Sequence, residues 1–455
     1  VSDDVTVDNR IATVTINTGV GIKGDDGAPG DKGDKGDKGD KGDTGDNGIV
    51  DDSAIADLIN NPDSETSDAL SATYATRHAN TIVFTGDSLT AIGGQNDPAG
   101  NLTSRNGRGF WVWGLSLLDQ RLKMLYNAGV PGETAGQVLA RLDADVIARN
   151  PGWCHVLVGT NDVAQLVPLA TIKTNITAIL DALDAAGIRT VIGTVPPRDS
   201  YGDPAVEGPT HHGLNAWIRG LAASRSGLIV VDYFAALVQA NDGTFIDGWS
   251  VDGIHTSGPG AYHAGAALAQ ALAHAVPEAP LLSSFEGDPN NPLRFGRFAG
   301  HGIEPGFWGL GGAGSSVEAK VTRTDGIPGE WQQLTVTGVR TLTAPNIATG
   351  IEGVNVGDTV VAAIEYEATG LNPAAPANTQ GLSMCVQSYN GGGFNAKAYD
   401  LYWDETYENQ GAQSRSGVML TSPLVVPSDS QVVQMVVYMF GDGVYRFDRA
   451  TILKL

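Results

Sequence analysis

Cysteine is nearly absent from the 455-residue chain: only Cys154 and Cys385 occur, far apart in sequence. Two such residues cannot form a disulfide framework, and two buried free thiols are expected. No apolar run is long enough to cross a bilayer, so no membrane span is expected. Residues 1–20 lack the basic start and apolar centre of a signal peptide, and no secretion signal is read there. Positive charge is also scarce: 28 Lys and Arg stand against 51 Asp and Glu, a formal charge of -23. That balance argues against a nucleic-acid partner, because phosphate neutralisation needs clustered cations. Hydrophobic residues at 42% exclude general disorder and supply material for more than one core.

Glycine, by contrast, is abundant and unevenly placed. Every third residue from Gly21 to Gly48 is glycine, and proline in that stretch is limited to Pro29. Only glycine fits at the axis of three wound polyproline-II chains, so the strict period predicts a collagen-like triple helix. Lys and Asp in the run DKGDKGDKGDKGD would pair between staggered chains in place of proline. The implied object is a homotrimeric rod of roughly 85 Å. Before it, residues 1–20 read as a short β segment with a hairpin turn at Asp8-Asn9, an attachment piece. After it, residues 49–78 fit two short amphipathic helices, a neck.

Residues 79–277 alternate apolar strand-like runs with helical stretches. The strands are expected near Ile82–Thr85, Met124–Asn127, His155–Val158, Thr190–Thr194 and Leu228–Val231. Helices are expected near Phe110–Gln120, Ala135–Ala148, Ile172–Ala186, Leu214–Ala223 and Ala261–Ala275. Such alternation predicts a parallel sheet covered by helices on both faces, an α/β/α three-layer fold. Residues 278–455 change character. Thr, Val, Gly and aromatics dominate, helical periodicity vanishes, and an antiparallel β-sandwich of jelly-roll type is expected.

Ligands of a doubly wound sheet bind beyond the C-terminal ends of its strands. Four blocks fall at or near such ends: Gly86-Asp87-Ser88-Leu89, Asn127 to Thr134, Gly159-Thr160-Asn161-Asp162, and Asp252-Gly253-Ile254-His255. Between them they hold the parts acyl transfer requires: a hydroxyl, a base, a carboxylate to orient the base, and donors for an oxyanion. The four blocks, in this order over about 200 residues, resemble those of the SGNH (GDSL-type) hydrolases, whose sheet is flavodoxin-like. The resemblance implies Ser88 as nucleophile, His255 as base and Asp252 as its orienting carboxylate. It further implies an oxyanion hole formed by the N–H groups of Ser88 and Gly132 and the side-chain amide of Asn161. No cofactor is required for such chemistry.

Other residues have plainer readings. His211 and His212 lack a spaced partner cluster, so a solvated loop is expected rather than a metal site. Trp111 and Trp113 read as core, Arg105 and Arg108 as solvent-facing or substrate-facing, Asp97 as a loop residue and Asp232 as structural. In the C-terminal region, Tyr389, Phe394, Tyr402, Trp403 and Tyr407 are candidates for stacking on sugar faces. Ser284-Phe285-Glu286, Gly329 to Leu334, Val356 to Thr359 and Tyr445 to Asp448 carry a looser resemblance to jelly-roll carbohydrate-binding modules, a fold that leaves room for a structural calcium with no ligands assignable.

The whole arrangement resembles a tail fibre or minor tail protein of a bacteriophage. It implies a homotrimer on the virion, joined to other tail proteins through its N-terminus and contacting host surface polysaccharide. The function expected is an esterase removing acyl groups, above all O-acetyl, from that glycan during adsorption. A non-catalytic receptor-binding adhesin, or a secreted bacterial esterase or lipase on a collagen-like stalk, are the alternatives.

Overall fold

The computed structural model describes residues 4–8, 13–17, 80–94, 105–277, 282, 293, 309–311, 315–327, 329–337, 346–351, 353–371, 381–400 and 414–455. The chain divides into two compact units, Val1–Thr76 and Arg77–Leu455. In the first, β1 (Asp4–Asp8) pairs antiparallel with β2 (Thr13–Asn17), with Asp8 opposite Thr13, the hairpin the sequence suggests. The collagen-like repeat at 21–48 and the neck at 49–78 lie outside the described residues.

The second unit begins with the parallel sheet. Its strands are β3 (Thr81–Gly86), β4 (Lys123–Gly129), β5 (Trp153–Leu157), β6 (Arg189–Gly193) and β7 (Ile229–Val231), in the order β4-β3-β5-β6-β7. This is the flavodoxin-like order, with its switch point between β3 and β5. All neighbours are parallel. The helices are α1 (Ser88–Ala91), α2 (Phe110–Leu117), α3 (Ala135–Asp145), α4 (Thr160–Ala164), α5 (Leu169–Ala185), α6 (Pro204–Leu221), α7 (Tyr233–Leu237) and α8 (Gly258–Leu272). A strand covered on both faces must be apolar throughout, and β5 is buried at every position. Alternation then divides the side chains: Ile82 and Phe84 join a cluster with Phe110, Trp111 and Leu268, while Val83 joins Val138, Ile172 and Ile176 on the other face.

Two sequence expectations are corrected here. The helix expected from Leu214 begins at Pro204, capped by the Asp203 side chain, and runs through Pro209. His211 and His212 are therefore helical, and His211 is buried, with Nδ1 on the Tyr201 hydroxyl at 2.7 Å and Nε2 on the Val195 carbonyl at 3.1 Å. Pro209 lies past the first turn and forfeits one i→i−4 hydrogen bond, but Leu214 and Ile218 packed against the sheet outweigh that loss.

The C-terminal region holds two antiparallel sheets. One runs β15-β12-β18-β10-β9, with β16 also on β12; the other runs β14-β13-β17-β11-β8. Their ranges are β8 (Gly309–Gly311), β9 (Ser315–Thr322), β10 (Glu330–Thr337), β11 (Asn346–Gly350), β12 (Thr359–Thr369), β13 (Gly381–Tyr389), β14 (Phe394–Asp400), β15 (Arg415–Leu420), β16 (Leu424–Val425), β17 (Val432–Phe440) and β18 (Gly443–Lys454). Side chains of both sheets, among them Leu334, Tyr366, Phe447, Met384 and Val437, share one hydrophobic cluster.

That cluster also contains Phe84 and Trp113 of the α/β region, so the two regions are continuous through a buried seam. At the seam, Gln120 Nε2 donates to the Val418 carbonyl at 2.9 Å. Gly417 lies so close to α2 that an added Cβ would sit 2.6 Å from the Ser116 carbonyl oxygen. Arg105, expected to face solvent or substrate, is instead buried here, donating to the Leu420 carbonyl at 3.2 Å. Trp111 and Trp113 are fully buried, as their apolar helix suggests. Cys154 and Cys385 are free and buried.

Candidate active site

Strand β3 ends in Gly86, Asp87 caps α1 by accepting from Leu89 N–H at 2.9 Å, and Ser88 is the first helical residue. A four-residue helix cannot hold itself together. Its carbonyl end is satisfied from outside: Asn127 Nδ2 donates to Thr90 and Gly94 at 3.1 Å and to Ala91 at 3.3 Å. Trp111 Nε1 adds contacts to Thr90 at 3.1 Å and Ile92 at 3.0 Å. The hydroxyl at position 88 is thus borne on a turn gripped by two neighbouring elements.

On the loop before α8, Asp252 Oδ1 accepts from the N–H groups of Ile254 at 3.1 Å and His255 at 2.8 Å, which folds the loop back on itself. Its other oxygen lies 2.7 Å from His255 Nδ1, and His255 Nε2 lies 2.8 Å from Ser88 Oγ. With Nδ1–H directed at the carboxylate, Nε2 is left to accept from the serine hydroxyl. Burial pulls the Asp252 carboxyl upward, but hydrogen bonds from His255 and Ile254 outweigh it and hold it below the usual range. A charged carboxylate is the partner an imidazolium needs.

The donors expected for an oxyanion stand on three separate stretches of backbone. As the first residue of α1, Ser88 has no intrahelical acceptor for its N–H. Gly132 adopts φ +85, with nothing within 4 Å of where a Cβ would be, so its surroundings are open. Asn161 Nδ2 donates to the Glu133 carbonyl at 3.0 Å. An amide carries two hydrogens, so one positions the group and one remains. Both ends of the loop between β4 and α3 are pinned: Val130 N–H donates to Gly86 O at 3.0 Å, and Ala135 N–H to Asp162 Oδ2 at 2.9 Å.

The geometry joins Ser88, His255 and Asp252 in one hydrogen-bonded line and sets the Asn161 amide on the Glu133 carbonyl, next in the chain to Gly132. Residues 84–262 match the sequence model of the GDSL-like Lipase/Acylhydrolase family. This stretch is therefore similar to a GDSL/SGNH hydrolase domain. An acetylxylan esterase of Geobacillus stearothermophilus is 30% identical over 96 residues, 20% of this chain and 44% of that protein. The chain thus spans under half the length of this curated relative. Among solved structures, an acetylxylan esterase from the same organism is similar at 20% identity and TM-score 0.35, covering 44% of this chain and 96% of that one. A GDSL-like lipase from Bacteroides thetaiotaomicron is similar at 22% identity and TM-score 0.35, covering 46% and 97%.

The α/β region also contains supports for the candidate site that the block residues do not announce. Arg198 is buried and donates to the Thr160 carbonyl at 3.0 Å and hydroxyl at 3.2 Å, beside Asn161. Its neighbour Asp199 donates its N–H to the Gly253 carbonyl at 3.0 Å and accepts from Phe245 N–H at 3.0 Å. Two consecutive residues therefore join the Asn161 helix to the Asp252–His255 loop. Asn127 belongs to the second block, and an amide at the buried end of an otherwise partly exposed strand was the available signal. Arg198 follows two prolines and carries none. Arg108 is half-buried, with Nε 3.4 Å from the Thr256 carbonyl. Asp232 caps α7 and pairs with Arg219 at 2.7 Å, a structural role.

Of the sugar-stacking candidates, Tyr402, Trp403 and Tyr407 lie outside the described residues, as does Asp97. Tyr389 and Phe394 sit at facing ends of β13 and β14, 36% and 53% exposed, with ring centroids 5.6 Å apart edge to face. Among the described residues no cluster of three His, Cys, Asp or Glu side chains could hold a metal ion.

Proposed function

We propose that the chain is a serine ester hydrolase acting on an acylated glycan, in which Ser88 Oγ attacks the ester carbonyl as His255 Nε2 takes its proton. The hydrogen-bonded line Asp252–His255–Ser88 carries this reading. The tetrahedral oxyanion is held by the N–H groups of Ser88 and Gly132 and the free amide hydrogen of Asn161. Collapse expels the sugar alkoxide, which receives the proton from His255, and leaves Ser88 acylated. Water then attacks the acyl-enzyme with His255 again as base, releasing the carboxylic acid and restoring the serine.

An acetyl group on a carbohydrate hydroxyl is the substrate favoured, supported by the similarity of residues in this domain to an acetylxylan esterase. The exposed Tyr389–Phe394 pair, beside Asn390, Asn395 and Asp429, offers an aromatic face with amide and carboxylate neighbours, the chemistry of a sugar contact. Two antiparallel sheets accord with the jelly-roll expectation. The ten-glycine repeat supports a trimer on a phage tail, where three weak glycan contacts would add as avidity.

Purified chain should hydrolyse p-nitrophenyl acetate and release acetate from acetylated polysaccharide. Ser88→Ala should lower kcat by at least about 10⁴-fold with unchanged thermal unfolding. Unchanged turnover in Ser88→Ala would refute the mechanism. Immunogold labelling of virions with an antibody to this chain tests the tail assignment, and an unlabelled tail refutes it.

A further inference from the structure

The three oxyanion donors proposed above stand on three separate segments, and a hole works only when its donors are fixed within about 0.5 Å. One side chain outside all four blocks spans these segments. Arg141 lies on α3, largely buried. Its Nε donates to Glu133 Oε2 at 2.6 Å, Nη1 to Asp145 Oδ2 at 2.8 Å and Nη2 to the Gly86 carbonyl at 3.0 Å. Gly86 precedes Asp87-Ser88, and its carbonyl also accepts from Val130 N–H at 3.0 Å. Glu133 follows Gly132, and its backbone carbonyl receives the Asn161 amide at 3.0 Å.

We propose that Arg141 is a positioning residue that sets the oxyanion hole by bracing the nucleophile turn against the Gly132 loop and, through Glu133, against Asn161. The inference rests on the esterase reading. The guanidinium is suited to this because its planar fork fixes several acceptors in one mutual geometry, which an ammonium cannot do. Arg141 spends its donors on the enzyme's own oxygens and touches no reacting atom. The Asp145 contact lies within α3 and steadies the guanidinium from behind, so it should matter little to the hole. Loss of the brace would let the donors drift apart, a cost felt where negative charge develops and not in the ground state.

The test uses the full chain and p-nitrophenyl acetate, with phenylboronic acid as a tetrahedral analogue. Arg141→Ala should lower kcat about 10–100-fold with little change in KM, and weaken boronate inhibition by a similar factor. Arg141→Lys should restore only part of the loss, and Asp145→Asn should stay within about twofold of the parent. If Arg141→Ala does not fold, Glu133→Gln, which keeps the shape and loses the ion pair, should still lower kcat selectively. A folded Arg141→Ala with parental kcat overturns the proposal. So does a kcat loss with unchanged boronate affinity, or an Asp145→Asn loss equal to that of Arg141→Ala. An inactive parent would sink the esterase reading itself, whereas an active parent matched by Arg141→Ala sinks only the brace.

Discussion

Buried charge is treated in opposite ways at Asp87, on the rim of the parallel sheet, and at Arg323, in the C-terminal sandwich. In the sandwich, the Arg323 side chain is wholly buried against the face of Trp331, 3.9 Å from its ring centre. It donates to Glu365 at 2.6 and 2.9 Å, to Asp448 at 2.7 Å and to Asp325 at 3.1 Å, while Arg449 supplies a second cation to Glu365 at 2.8 Å. Burial would lower the guanidinium's proton affinity, but hydrogen bonds to Glu365, Asp325 and Asp448 reverse the direction. Under the Ser88 turn, Asp87 is equally buried, with one N–H from Leu89, no cation bonded to it among the described residues, and a second oxygen that finds no protein partner. Burial pushes its carboxyl up to about 7. The hydroxyls of Thr85 and Thr90 and one oxygen of Asp162 are likewise unpartnered. A saturated network belongs to a scaffold, and an unsaturated one is tolerated where the chain serves chemistry at some expense of stability.

The comparison can be broken most forcefully at Arg323. Arg323→Ala would leave Glu365 and Asp448 buried with their main cation gone, and should cost about 3–5 kcal/mol of stability by thermal or urea unfolding. Ester hydrolysis well below the melting point should stay within about twofold, since the site is remote. A fall in kcat matching the lost stability would show that the sandwich is also part of the catalytic apparatus.

Asp87 gives the next effect, with the opposite sense in pH. A carboxyl at about 7 when folded and near 3.8 when unfolded favours the protonated native state, so its stabilisation is complete below about 3.8 and disappears as pH rises through 7. Asp87→Asn should therefore gain on the parent by about 2 kcal/mol between pH 5 and pH 7. His155, held down to about 3 by burial, loses stabilisation on acidification, but equally in both proteins, so it drops out of the difference. Parallel stability curves would remove Asp87 as the proton-binding group.

The smallest effect sharpens the boundary between the regions. Gly417 sits at φ +149 against Ser116, and Gly417→Val should part the seam at a cost of about 1–3 kcal/mol. Calorimetry should then resolve two transitions where the parent shows one. A single transition at the parental temperature would mean that the seam carries no weight.

The family resemblance picked out Ser88, Asp252 and His255, which the fold joins in one hydrogen-bonded line, and strand-end position narrowed where such residue types can be used. The layered α/β fold was readable because burial on two faces leaves long apolar strands. The extent of α6 was not, since Pro209 looks like a helix end until Leu214 and Ile218 are seen packed on the sheet. Arg105 carried no mark of burial either, because its partners, Gln120 and Leu420, belong to distant segments.

From the order of its residues alone, this chain specified which residue types would stand at the strand ends and which periodicities would alternate, because both depend on local chemistry and on spacing along the backbone. The joining of sandwich to sheet at Gly417, and the meeting of Gly86 and Glu133 around one guanidinium, were decided only by folding. Those contacts depend on distances between segments that hydrophobic packing sets, and no local pattern encodes them.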